Sequence, residues 1–132
     1  MPTIPLIMPR PTFSNKPLPA SGPFRVNPTS ACEVVKAPTN PALLAALTVG
    51  DTITVTLQRN GNTPSGPYLP QQIFTDVLSN QRIQIATTFG YIGMEICSFK
   101  SLTPNTTHIL RINITDALNT VKIISTNLSI ML

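Results

Sequence analysis

The sequence has no tryptophan and one histidine, and charged residues make up only 11% of its 132 positions, against about 25% in an average protein. Each shortage removes a class of function. With His108 as the single histidine and five acids in all, there is little from which to build an acid–base or nucleophilic centre. His108 falls on the apolar side of a predicted strand, the usual place of a core-edge histidine. Asp51 and Asp116 sit in turns, where Asp bonds its own backbone. Glu33, Asp76 and Glu95 remain, and their spacing implies no facing pair of carboxylates. No G-x-S-x-G and no phosphate-binding glycine loop occurs. The expectation is a protein that is not an enzyme, with no catalytic residue and no cofactor.

The two cysteines, Cys32 and Cys97, form no C-x-x-C, which excludes a zinc ribbon or a thioredoxin motif. With one histidine they make no recognisable metal set. Paired, they would close a long loop and stabilise the fold by about 4 kcal/mol. Unpaired, they are two buried thiols, and the lack of a secretory signal favours this second reading. Apolar runs are short, so no membrane-spanning segment is expected. Pro5 and Pro9 interrupt Ile4, Leu6, Ile7 and Met8, and no Lys or Arg precedes them, so the start does not read as a leader. The expected location is the cytoplasm or a virion assembled there.

Proline is abundant. Seven of the first 23 residues are proline, and ten of the 14 prolines lie at or before Pro41. Proline lacks an N–H and pushes its predecessor to extended geometry, so residues 1–31 read as an extended arm. Apolar residues recur between the prolines, where a solvated linker would have few. The arm also carries most of the excess charge. Arg10, Lys16, Arg25 and Lys36 against Glu33 alone give residues 1–47 a net +3 of the chain's total +4.

Residues 32–132 read as a small β domain. Glu33–Lys36 suits a strand, and Asn40-Pro41 opens one or two helical turns over "PALLAAL". In "DTITVTLQRNGN", Ile53, Val55 and Leu57 alternate with Thr and Gln before an Asn-Gly hairpin turn. "IFTDVL" suits a short strand and "SNQR" a turn. "RIQIATTFGYIG" reads as the next strand, with Ile83 and Ile85 inward, and "MEICSFKSL" as a helical turn. His108, Leu110, Ile112 and Ile114 share one face of another strand. "TDALN" turns the chain into Val121 and Ile123, and Leu128 and Ile130 alternate at the end. The fold class is mainly β: a five- to six-stranded barrel or sandwich with one or two short helices and a proline-rich N-terminal arm.

"CEVVKAPTNPALLAALTVGDTITVTL", "FGYIG", the Cys97 segment and the closing strands resemble small bacterial and phage β-barrel proteins of the HIRAN-like type. The resemblance spans about residues 32–126 and implies a barrel associated with DNA ends; it carries over no functional residue. The arm is similar in style to those of phage capsid-associated proteins, which lie across neighbouring subunits. That implies a structural protein, capsid-associated or decorating, that self-assembles or binds a protein partner. The arm's docking residues are then Ile4, Leu6, Ile7, Met8, Arg10, Phe13, Lys16, Leu18, Phe24 and Arg25. The alternative is a module for single-stranded nucleic acid, with Phe89 and Tyr91 as stacking faces and Arg82, Arg111 and Lys122 as phosphate contacts.

Overall fold

The computed structural model describes residues 5–13, 24–25, 32–59, 71–97 and 107–131. These form ten strands and two helices, arranged as a seven-stranded and a three-stranded sheet. The protein is mainly β and sandwich-like, and no closed barrel exists among the described residues. No helix among them is long and apolar enough to cross a membrane.

The larger sheet is organised around β8 (Thr107–Thr115). Its inward residues Leu110, Ile112 and Ile114 are buried, with His108 at the core edge, as the alternation predicts. One edge of β8 pairs antiparallel with β5 (Thr52–Arg59), from Thr52 opposite Thr115 to Arg59 opposite His108. β5 pairs in turn with β6 (Gln71–Val77). The other edge of β8 is shared by β9 (Val121–Ser125) and β10 (Leu128–Met131). Between these two the chain bulges. The Ile112 amide donates to Ser125 Oγ at 2.8 Å, so a side chain takes a ladder bond there.

The N-terminal segment joins the body of the fold. β1 (Leu6–Met8) pairs parallel with β9, and β3 (Phe24–Arg25) pairs parallel with β10. β2 (Thr12–Phe13) pairs with β4 (Glu33–Pro38) in the smaller sheet, whose order is β2-β4-β7. All three short strands lie at sheet edges, where proline is tolerated. Pro5 and Pro9 bracket β1, and Pro11 precedes β2, which keeps each strand short. Arg10 Nε donates to the Asn127 carbonyl at 3.2 Å. Thr126 donates to the Met8 carbonyl from its amide at 2.9 Å and its hydroxyl at 3.0 Å. The bulge after β9 is therefore closed by the arm. Reading all of residues 1–31 as an arm outside the domain needs correction at these positions. Met8 and Phe13 are core residues, at 0% and 3% exposure. The Asn60-Gly61 turn lies outside the described residues.

β7 (Tyr91–Ile96) pairs with β4 over six residues, from Glu33 opposite Ile96 to Pro38 opposite Tyr91. Val35, Ala37, Ile92, Met94 and Ile96 point into the single core shared with the larger sheet. The reading of "MEICSFKSL" as helical fails here, because Met94–Ile96 complete this ladder. Cys32 and Cys97 directly follow the last pair and form a disulfide. The expectation of two buried free thiols is thereby corrected. A register between strands distant in sequence brings the two together, and Cys97 is exposed.

α1 (Pro41–Ala46) begins as expected, with Asn40 Oδ1 accepting from the Leu43 amide at 2.9 Å. α2 (Asn80–Phe89) replaces both the turn expected at "SNQR" and the first part of the strand expected over "RIQIATTFGYIG". Ser79 Oγ caps its start by accepting from the Arg82 amide at 3.1 Å, and Gly90 ends it with φ 79°. Local alternation at Ile83 and Ile85 imitates a strand. In the helix Ile83 and Ala86 face the core together, one turn apart, and Ile85 is exposed.

Asp51 anchors the turn before β5. Its Oδ2 accepts from the Thr48 amide at 2.9 Å and from Lys122 Nζ on β9 at 2.7 Å. Lys122→Met, which leaves this buried carboxylate without its cation, should cost about 2 kcal/mol in chemical denaturation. Met8→Ala and Phe13→Ala should each cost about 2–4 kcal/mol. A loss below about 0.5 kcal/mol, normal for a surface site, would contradict the placement of either arm residue in the core.

Candidate functional site

The outer face of the smaller sheet brings aromatic and cationic side chains together. By the two-residue strand period, Val34 and Lys36 of β4 lie beside Tyr91, Gly93 and Glu95 of β7. α2 runs against β7 and adds Arg82, Ile85 and Phe89. Val34, Arg82, Ile85, Tyr91, Ile92 and Gly93 line an open hollow of about 290 Å³. A Cβ added at Gly93 would meet only the Tyr91 ring, at 3.6 Å. The six lining residues include no carboxylate, histidine or thiol, so the hollow can hold an apolar or aromatic group but offers no acid–base pair.

Phe89 is 63% exposed, and its ring centre lies 6.2 Å from that of Tyr91. Lys36 Nζ sits 4.4 Å from the centre of the Tyr91 ring, an attractive cation–π distance. The register explains this contact, since Pro38 is opposite Tyr91 and Lys36 lies diagonally across. Arg82 is held twice. Its Nη1 pairs with Asp76 Oδ2 at 3.0 Å, and its Nη2 donates to the Gly93 carbonyl at 2.9 Å. The guanidinium thus fixes α2 against β7, the outer strand of this sheet.

The residues expected to contact nucleic acid therefore divide. Arg82, Phe89 and Tyr91 come together, although Phe89 and Tyr91 sit on a helix and a strand rather than on one strand. Arg111 lies on the larger sheet, donating from Nε to Asn127 Oδ1 at 3.1 Å. Lys122 is committed to Asp51. Lys36, absent from the expected set, joins the cluster only through the β4–β7 register.

The arm's expected docking residues divide as well. Leu6 and Ile7 are exposed, at 38% and 65%, whereas Met8 and Phe13 are buried in the chain's own core and Arg10 bonds Asn127. Phe24 and Arg25 form β3. Ile4, Lys16 and Leu18 lie outside the described residues.

A second cluster occupies the end of the same face. The Sγ atoms of Cys32 and Cys97 and a carboxylate oxygen of Glu95 all lie within 4.8 Å of one another. Cys97 and Glu95 are exposed and Cys32 is half-buried. The sequence offers no signal for this grouping, since 65 positions separate the cysteines.

No protein-family model matches the chain, and no curated protein is significantly similar to it. The site must be read from its own chemistry. Phe89→Ser should shift stability by no more than about 0.5 kcal/mol, as for an exposed position. Arg82→Ala, which removes the tie between α2 and β7, should cost about 1 kcal/mol in urea denaturation.

Proposed function

We propose that this is a structural or interaction protein rather than an enzyme. It serves as a component of a larger assembly, such as a virion, and its N-terminal segment is the connecting element. The supporting observation is how that segment binds. β1 and β2 add to edges of two different sheets through ladders of three and two residues, and they deliver Met8 and Phe13 into the core. Strand addition of this kind draws affinity from backbone hydrogen bonds and specificity from alternate side chains. The same edges on a second copy present the same acceptors, so exchange of the segment between copies links them, as in domain swapping. The sparse surface charge and the exposed Leu6 and Ile7 also fit a chain covered by neighbours.

Light scattering tests this reading. The full chain should form oligomers larger than a monomer, and Ile7→Cys with Ile124→Cys, which face each other across β1 and β9, should oxidise to covalent species linking two chains. A monomer at all concentrations, with crosslinks only within single chains, would overturn it.

A second reading has its own support. Lys36, Arg82, Phe89 and Tyr91 form an aromatic face with cations beside it, the composition of a stacking platform for single strands. In that case a labelled oligonucleotide should bind with an affinity that falls as salt rises, and Phe89→Ala should weaken it by about 1–3 kcal/mol. No binding at low salt removes this reading and leaves the first untouched.

A further inference from the structure

We propose that the reduced chain binds zinc between Cys32 Sγ, Cys97 Sγ and the Glu95 carboxylate, and that the disulfide is the oxidised, closed state of that site. The donors are placed by the fold. Cys32 and Cys97 follow the terminal Glu33–Ile96 pair of the β4–β7 ladder. Glu95 precedes Cys97 by two residues, so the strand period sets both on the outer face. All three donor atoms already lie within 4.8 Å of one another. In the oxidised chain the two sulfurs are bonded to each other. After reduction they must part to the roughly 3.8 Å that a tetrahedral zinc with Zn–S bonds of about 2.3 Å requires, which rotation of the two side chains at the ladder's end supplies. Six residue pairs hold the two strands in register next to the cysteines, so the thiols stay together once the bond between them is broken.

The donor chemistry selects the ion. Two thiolates with one carboxylate suit a borderline-soft cation, whereas magnesium and calcium require oxygen sets. The cluster supplies three protein donors, and water completes the tetrahedron. Access is open, because Cys97 and Glu95 are exposed, and exposed disulfides are the more readily reduced ones. The step balances as follows. A dithiol reductant transfers two electrons and two protons, the Cys32–Cys97 bond breaks, and the reductant becomes its own disulfide. Zinc then binds both sulfurs as thiolates and releases two protons. The end of the β4–β7 ladder is thus clamped covalently in oxidising surroundings and by the ion in reducing ones.

The test uses the full chain, reduced with a water-soluble phosphine that is then removed, and titrated with Co²⁺ in the absence of oxygen. Thiolate-to-cobalt charge-transfer absorption should rise to saturation at a single ion per chain and disappear on adding Zn²⁺. The oxidised chain should give none. Glu95→Gln, an exposed substitution whose fold is checked by circular dichroism, should weaken cobalt binding by roughly tenfold or more. Zn²⁺ should raise the melting temperature of the reduced wild-type chain, and Mg²⁺ should not. No charge-transfer band in the reduced chain, or undiminished cobalt binding by Glu95→Gln, would overturn the proposal.

Discussion

A strand inside a sheet must satisfy its backbone hydrogen bonds on both edges, and β8 carries that requirement for the whole fold. Eight of its nine residues pair along one edge with β5, and its other edge pairs with β9 and β10 in turn. The alternation of Leu110, Ile112 and Ile114 decides which face is buried, and a slip of one residue would expose all of them. The neighbouring strands inherit this choice. Ile53, Val55 and Leu57 enter the core opposite them, and Ile123, Leu128 and Ile130 follow on the other side.

The second edge of β8 cannot be served by one regular strand, because β9 and β10 are out of step. The bulge between them leaves Thr126 and Asn127 with backbone groups that the ladder does not use. The N-terminal segment meets them, with the Met8 carbonyl taking both Thr126 donors and Arg10 reaching the Asn127 carbonyl. From there Pro9 and Pro11 carry the chain across to the smaller sheet, where Phe13 enters the core. A segment that reads as an appendage is thus a seam between the layers.

The smaller sheet is stabilised differently. β4 and β7 are joined at one end by the disulfide, and Arg82 ties α2 to the Gly93 carbonyl in the middle. Its outer face is therefore held in place by these ties and still open, with Ile85 and Phe89 exposed and Lys36 and Tyr91 half-buried. An interaction surface needs both properties, because a rigid surface loses little entropy on binding.

Much of the fold was legible in the residue pattern. Period-two alternation marked β5, β8 and the ends of β9 and β10, and Asn40-Pro41 marked the start of α1. Local cues misled at α2, where Ile83 and Ile85 alternate as in a strand, although Ser79 and Gly90 bracket a helix. Of the candidate sites, Phe89, Tyr91 and Arg82 were visible as residue types, but Lys36 and the Cys32–Cys97–Glu95 grouping were not. The sequence by itself determined the strands and inward faces of β5 and β8, the start of α1 and the extended backbone around Pro5, Pro9 and Pro11, because these follow from side-chain periodicity and from proline's missing N–H. Only the tertiary structure decided which edges that segment joins, that the cysteines meet, and which cation stands over Tyr91. Those depend on registers between strands far apart in the chain, and no local pattern encodes a register.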